Sequence, residues 1–156
     1  MKIIIANGTH EADYLVSLFK KEKFDIVVIN NDPIWAKYIS EKNEISVFRG
    51  DPTKKFVQEE ARVQGADFFV ALSSNDIDNY ICCQIAKKIF GVKKVVSIVQ
   101  NPKYVDVFDR LGIEGVVSST NLLASKIFSE ASFDKISTVL SLENDKLIIS
   151  DVLLKE

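Results

Sequence analysis

Residues 2–12, KIIIANGTHEA, combine a short apolar strand with the turn and the helix start that follow it. The run Ile3-Ile4-Ile5 is continuous and β-branched, which is typical of strands buried on both faces of a parallel sheet. A strand, a glycine turn and a helix in this order open a dinucleotide-binding fold, whose turn usually carries three glycines. Gly8 alone is present here, so the stretch predicts the fold but departs from its usual phosphate-binding turn.

Five further apolar runs repeat this pattern along the chain, at residues 26–29, 45–48, 68–72, 95–99 and 115–117. Helical segments separate them, and the dipeptides Asp32-Pro33 and Asn101-Pro102 each predict a capping side chain followed by proline at the first helical position. The alternation of strand and helix predicts an α/β fold, a doubly wound, parallel, Rossmann-like sheet of six strands.

The length of 156 residues suits one domain with a small appendage. We expect residues 1–132 to form the Rossmann-like domain. Residues 133–156 form an extension whose pattern predicts a β-hairpin around Asn144-Asp145. This hairpin is too small to fold alone, so it packs on the main domain, packs on a partner, or opens a domain that is absent here.

Composition excludes several classes of protein. The net charge of −2 argues against a nucleic-acid binder, which usually carries a basic face. No apolar run approaches the roughly 20 residues of a membrane span, and no signal peptide is evident. Cys82 and Cys83 are adjacent and would point about 100° apart on a helix, so we expect buried apolar groups rather than a disulfide or a metal site. These features predict a cytoplasmic protein.

Ligands of doubly wound sheets bind at the carboxyl ends of the strands. The residues that follow the strands here are small and polar, which suits a nucleotide, and none forms a catalytic or metal-binding constellation. The candidate nucleotide-binding residues are Asn7, Gly8, Thr9, His10, Asn30, Asn31, Gly50, Asp51, Pro52, Leu72, Ser73, Ser74 and Asn75. Gln100 and Asn101 complete the expected lining.

The first turn decides which ligand this edge can hold. Asn7 can adopt the left-handed conformation in place of glycine, whereas Glu11 suits the helix dipole but repels a phosphate. Asn30 stands where an acidic residue normally binds the ribose hydroxyls, and it can accept one hydrogen bond without charge. His10 has two interpretations, a cation beside a phosphate or an exposed residue of the first helical turn.

Several segments, taken in order and spacing, resemble the regulatory nucleotide-binding domain of Trk/Ktr-type potassium transport, known as the RCK or KTN domain and as the TrkA N-terminal family. The resemblance runs from residue 1 to about residue 131. The segments that carry it are Lys2-Ile3-Ile4-Ile5-Ala6, Val28-Ile29-Asn30-Asn31-Asp32-Pro33, Gly50-Asp51-Pro52-Thr53, Gly65-Ala66-Asp67, Ala71-Leu72-Ser73-Ser74-Asn75-Asp76, Asn79, Gly91-Val92-Lys93-Lys94-Val95, Asn101-Pro102-Lys103-Tyr104 and Leu111-Gly112-Ile113.

This resemblance implies a regulatory subunit at the inner face of the cell membrane, attached through a membrane-embedded potassium transporter or channel subunit. Such domains bind NAD(H), ATP, ADP or AMP, dimerise through their last helices and assemble into rings, often octamers, whose shape biases the membrane gate. The family also often continues into a small C-terminal ligand-binding domain, of which residues 133–156 would be the truncated start.

Departures from the family pattern bear on the ligand. The family usually has glycines where Asn7, Thr9 and Ala12 stand, an acidic residue in place of Asn30, and an arginine in place of Ile98. Asp51 matches a position that meets the adenine end. We therefore expect AMP, ADP or ATP rather than tight NAD binding.

Three other interpretations stay open at this point. An NAD-dependent oxidoreductase would need a substrate domain, which the 24 residues after Ser132 cannot supply. A phospho-accepting receiver domain would need an acidic cluster after the first strand, where Ala6-Asn7 stands. A degenerate Rossmann scaffold would bind no nucleotide at all.

Overall fold

Six strands of the chain form one all-parallel sheet in the computed structural model. The model describes residues 1–131, 136–142 and 147–152, and the last two segments are described as backbone only. The strands are β1 Lys2–Ala6, β2 Asp25–Asn30, β3 Val47–Arg49, β4 Phe68–Ala71, β5 Lys94–Val99 and β6 Gly115–Ser118. Their order in the sheet is β3-β2-β1-β4-β5-β6, which confirms the predicted doubly wound, Rossmann-like fold.

A helix follows each of these strands. The helices are α1 His10–Lys21, α2 Pro33–Asn43, α3 Lys55–Glu60, α4 Asp76–Lys88, α5 Tyr104–Arg110 and α6 Ser119–Ala131. None of the helices in the described part of the chain has the length and hydrophobicity needed to cross a bilayer.

Strand β1 lies at the centre of the sheet, and its burial explains the unbroken apolar run. Ile4 packs in one core layer with Phe69, while Ile3 and Ile5 pack in the other layer with Val16. All three isoleucines are completely buried. Because successive side chains of a strand point to opposite faces, a strand covered on both faces has no place for a polar residue.

The chain order reverses beside β1, because β2 pairs with one of its edges and β4 with the other. The turn after β1 therefore lies beside the carboxyl ends of both neighbouring strands. Leu72, just after β4, donates its N–H to the carbonyl oxygen of Ala6 over 2.8 Å. This reversal is the place where ligands of such sheets bind.

The helix-start predictions have mixed outcomes. Asp32 caps α2 as predicted, since its Oδ1 accepts hydrogen bonds from the backbone N–H groups of Ile34 (2.8 Å) and Trp35 (3.3 Å). The prediction for Asn101-Pro102 was wrong, because α5 begins later, at Tyr104. The Asn101 Oδ1 accepts from the Lys103 N–H at 3.1 Å, so it closes a tight turn ahead of the helix.

Contacts divide the chain into two compact units, Met1–Ser118 and Ser119–Glu156. In the second unit, strands β7 Ile136–Leu142 and β8 Leu147–Val152 pair antiparallel. This pairing matches the predicted hairpin, although the connection at Asn144-Asp145 lies outside the described residues. The domain boundary expected after residue 132 stays a prediction.

Candidate functional site

The turn after β1 is left-handed at two successive residues, Asn7 (φ +59°) and Gly8 (φ +92°). The left-handed conformation expected for Asn7 is thus confirmed. Its N–H donates to the Ile29 carbonyl oxygen (2.7 Å), and its Oδ1 accepts from the Asn31 N–H (3.1 Å). Asparagine therefore adopts the glycine conformation and adds a side-chain bond to the residue after β2, which glycine could not make.

Gly8 is required by space as well as by conformation. A Cβ atom at this position would lie 2.9 Å from the Leu72 Cβ and 3.0 Å from the Ala12 Cβ. Both distances are shorter than normal carbon contacts, and the positive φ disfavours any residue with a Cβ. The start of α1 is thereby held close to the loop after β4.

Asn30 is a structural tie at the end of β2. Its side chain is almost completely buried, at 1 % exposure. Its Nδ2 donates to the Gly8 carbonyl oxygen (2.9 Å), and its Oδ1 accepts from the Asp32 N–H (2.9 Å). An aspartate could not make the first of these bonds when ionised, because a carboxylate only accepts. The carboxamide is thus engaged by backbone on both sides of the crevice.

Glu11 folds back over the start of α1. Its Oε2 accepts from the Thr9 hydroxyl at 2.8 Å and from the Thr9 N–H at 3.3 Å. Burial alone would raise the pKa of Glu11, but hydrogen bonds from its own N–H and from Thr9, together with the charge of His10, lower that pKa overall. The carboxylate is therefore ionised at neutral pH and lies against the positive end of the helix dipole.

The loops after β4 and β5 are fixed by side chains of α4. Asn79 is buried, accepts from the Ser73 N–H (2.8 Å) and donates to the carbonyl oxygens of Ser73 (2.7 Å) and Ile98 (3.1 Å). The Asp76 carboxylate accepts from the N–H groups of Gln100 (2.7 Å) and Asn101 (3.1 Å). These bonds assign Asp76 to support of the loop after β5.

The segment after β3 has its own internal support. Asp51 Oδ1 accepts from the N–H (2.9 Å) and the hydroxyl (2.7 Å) of Thr53. Burial opposes ionisation, but the Thr53 hydrogen bonds and the Lys54 charge lower the pKa of Asp51. Gln58, which is fully buried, donates to the carbonyl oxygens of Pro52 (2.7 Å) and Cys82 (3.1 Å) and so anchors the segment to α4.

A cavity of about 220 Å³ opens between the turn after β1 and the carboxyl ends of β2, β4 and β5. Its walls are Asn7, Gly8, Thr9, Glu11, Asn30, Asn31, Asp32, Trp35, Leu72, Ser73, Ser74, Ile98 and Gln100. The structure thus brings together nine predicted residues: Asn7, Gly8, Thr9, Asn30, Asn31, Leu72, Ser73, Ser74 and Gln100. It does not bring His10, Gly50, Asp51, Pro52, Asn75 or Asn101 to this wall.

The excluded residues have other contacts. The Asn75 Oδ1 caps α4 by accepting from the N–H groups of Ile77 and Asp78. The His10 ring lies 4.7 Å from the ring of Trp35 in an edge-on arrangement. The pattern of the sequence did not single out Trp35, although its place in the first turn of α2, just after the Asp32 cap, puts it beside the crevice.

Cys82 and Cys83 are both buried and unpaired with each other. Burial raises the pKa of the Cys83 thiol to about 12, so it stays protonated. This agrees with the expectation of small apolar core groups. Among the described residues, no group of three His, Cys, Asp or Glu side chains is placed to hold a metal ion.

The sequence profile of the TrkA-N domain matches residues 3–119. A Trk system potassium uptake protein TrkA homologue of Methanothermobacter thermautotrophicus is 24 % identical over 152 residues, which are 97 % of this chain and 70 % of the relative. The Trk system potassium uptake protein TrkA of Haemophilus influenzae is 27 % identical over 159 residues, and the match covers 96 % of this chain but 34 % of the relative.

Solved structures share the fold. The GsuK protein bound to ADP superposes with a TM-score of 0.75 at 22 % identity, over 85 % of this chain and 35 % of that one. The GsuK channel bound to NAD gives 0.72 at 22 % identity, over 81 % and 23 %. The Kef C-terminal domain of Shewanella denitrificans in an AMP-bound form gives 0.66 at 18 % identity, over 85 % and 84 %.

Proposed function

From its membership of the TrkA-N domain family, to which this chain belongs, we propose that the protein is a cytoplasmic regulatory subunit of a potassium channel or transporter. It binds an adenine nucleotide, AMP, ADP or ATP in preference to NAD, in the cavity beside the turn after β1. It acts as a binding module and not as an enzyme. Its partner is a membrane-embedded transport subunit, through which it lies at the inner face of the cell membrane.

The cavity at the topological reversal carries this proposal. Its walls combine backbone and amide side chains, from Asn7, Asn31 and Gln100, with the aromatic ring of Trp35. Amides and hydroxyls can bind ribose and base edges, and an aromatic ring can pack against a base. Relatives in structure are solved with NAD, ADP and AMP, which supports a nucleotide as the class of ligand.

Size and charge favour a mononucleotide. The cavity of about 220 Å³ is below the roughly 300–1,000 Å³ of pockets that enclose drug-sized ligands, so a dinucleotide would extend far outside it. Of the described lining residues, none is a lysine or arginine, and Ile98 occupies the position where the family usually has arginine. A pyrophosphate, which NAD, ADP and ATP all carry, would therefore lack its usual cationic partner, so size separates NAD from the mononucleotides and charge favours AMP among them.

Two residues are candidates for contact with the adenine base. The family resemblance assigns this contact to Asp51, whereas the cavity wall offers the ring of Trp35. Asp51→Ala abolishes an adenine-nucleotide thermal shift if the resemblance carries over. Trp35→Ala abolishes it if the base packs on the indole, so the two variants locate the base.

The exposed apolar face of α6, the last described helix, supports a proposed assembly. Leu122, Leu123, Ile127 and Phe128 of α6 are 58–74 % exposed, and large exposed apolar groups on one helix are typical of an interface. We propose that α6 mediates a homodimer, and that dimers assemble into a ring, such as an octamer, whose shape gates transport. Nucleotides change that shape only if they bind two ring states with different affinity.

A thermal-shift series with NAD, NADH, ATP, ADP, AMP and cyclic nucleotides, paired with light scattering, tests the proposal. A ligand that binds the folded state raises the melting temperature. We expect a shift with adenine mononucleotides and a mass above that of the monomer. If no nucleotide shifts the melting temperature, the protein is a degenerate Rossmann scaffold that binds no nucleotide. If light scattering gives the mass of a monomer, the proposed ring is contradicted.

A further inference from the structure

We propose that Glu11 is a charge-selectivity residue of the cavity. Its carboxylate occupies the place at the start of α1 where a ligand phosphate would lie, so the site prefers adenosine and AMP over ligands that carry a pyrophosphate. This inference rests on the proposed function, because it concerns which adenine compound the same cavity accepts.

The Glu11 carboxylate is bonded to the residue that caps α1. The carboxylate accepts hydrogen bonds from both the hydroxyl and the backbone N–H of Thr9, and Thr9 is the N-cap residue of α1. In sheets of this topology, free N–H groups at the start of the first helix hold the ligand phosphates. Here one of these donors is already bonded to an internal anion.

The charged side chains of the described cavity wall are acidic. The lining includes two carboxylates, Glu11 and Asp32, and the described lining residues include no lysine or arginine. Asp32 is committed to capping α2 through Ile34 and Trp35. A phosphate that enters beside Thr9 therefore meets the Glu11 carboxylate, and no lysine or arginine of the described lining offsets the repulsion.

The position of Glu11 at the surface lets its side chain move. Glu11 is an exposed residue of the first helical turn, so its side chain can rotate into solvent without disturbing the core. A phosphate at Thr9 requires this rotation and the loss of two hydrogen bonds, whereas a neutral nucleoside does not. The penalty therefore falls on ligands in proportion to the negative charge that they bring to this place.

The test compares Glu11→Gln with wild type by isothermal titration calorimetry against adenosine, AMP and ADP. Glutamine keeps the shape and a hydrogen-bond acceptor but removes the charge. We expect the affinity for ADP to rise about tenfold, that for AMP to rise less, and that for adenosine to stay within about twofold. Glu11→Ala, which removes the acceptor as well, should shift the ranking in the same direction.

Glu22→Gln is the matched control, because Glu22 follows the other end of α1 and its loss changes the net charge equally. It should leave all three affinities unchanged. Equal changes for the three ligands in Glu11→Gln, or no change for ADP, would overturn the role of Glu11 while leaving nucleotide binding intact. If wild type and both Glu11 variants bind none of the three compounds, the proposed function fails and this inference fails with it.

Discussion

The substitution Asn30→Asp tests whether Asn30 holds the first turn. The change is isosteric, but it replaces the Nδ2 donor with an oxygen that faces the Gly8 carbonyl oxygen at 2.9 Å. The bond to the Asp32 N–H can persist through the other oxygen. Losing a buried hydrogen bond and leaving a charge at 1 % exposure without a cationic partner should cost about 3 kcal/mol at pH 8.

The cost depends on pH with a definite sign. Burial beside a carbonyl oxygen raises the pKa of the introduced carboxyl above its unfolded value of about 3.9. The folded variant then binds the proton more tightly than the unfolded chain does, so its stability falls as pH rises from about 4 through the folded pKa. Below that range the protonated carboxyl can donate to Gly8, and most of the deficit relative to wild type should disappear.

Thermal unfolding of wild type, Asn30→Asp and Asn31→Asp at pH 5 and pH 8 measures this effect. Asn31→Asp makes the same chemical change at the next, exposed residue and should lower the melting temperature by no more than about 2 °C. For Asn30→Asp we expect a loss of roughly 6–15 °C at pH 8. Equal melting temperatures for the two variants at pH 8 would refute the structural role of Asn30.

Three further predictions concern stability and assembly. Gly8→Ala should cost about 2–4 kcal/mol, because it adds a contact at 2.9 Å to the strain of a positive φ, whereas Gly112→Ala has a similar φ and open space and should cost only about 1 kcal/mol in chemical denaturation. Asp13 accepts from Lys42 (2.5 Å) and Asn43 (2.8 Å); burial opposes ionisation, but these bonds lower the pKa of Asp13 overall. Its contribution is therefore present above about pH 4 and lost as pH falls through the folded pKa, so Asp13→Asn should be less stable than wild type by about 1–2 kcal/mol at pH 7 and should converge with it in acid titrations. Leu123→Glu places a charge on the exposed apolar face of α6 and should reduce the mass in light scattering to that of a monomer. Lys126→Glu, a charge change on the same helix, should leave the mass unchanged. An unchanged mass in Leu123→Glu would exclude this face as the interface.

The sequence predicts the sheet well because burial on both faces leaves an unambiguous pattern. A run such as Ile3-Ile4-Ile5 fits the centre of a parallel sheet, and local rules also account for the cap at Asp32 and the left-handed Asn7. The edge strand is less well defined. Residues 45–48 were expected to form it, but β3 is Val47–Arg49, and the Ile45 carbonyl oxygen accepts from the Ser40 hydroxyl instead.

The sequence predicts which loops meet at the site. It does not predict which polar atoms of those loops remain available to a ligand. The two bonds of the Asn30 side chain join Gly8, which is 22 positions away, and Asp32, which is two positions away. The long-range bond depends on how closely β1 and β2 are paired, and a local pattern carries no such information. The inclusion of Trp35 in the wall depends in the same way on the angle at which α2 leaves β2.

Glu11 is an intermediate case. Its opposition to phosphate could be inferred from sequence, since a carboxylate in the first turn is favoured by the helix dipole and repels a second anion at the same place. Its bond to the Thr9 hydroxyl is local, two residues along the chain, and resembles the capping interactions of helix starts. What required the structure is the observation that the same carboxylate lies on the wall of the cavity.

The most direct test of the account is a fluorescence titration with AMP. Trp35 is the single tryptophan of the chain and lies on the cavity wall, so the emission of the protein reports on this site alone. We predict a saturable change with one AMP per chain, which Gly8→Ala weakens and Gly112→Ala does not. Emission that stays constant to millimolar AMP, in a protein whose melting temperature AMP also leaves unchanged, would contradict nucleotide binding at this cavity.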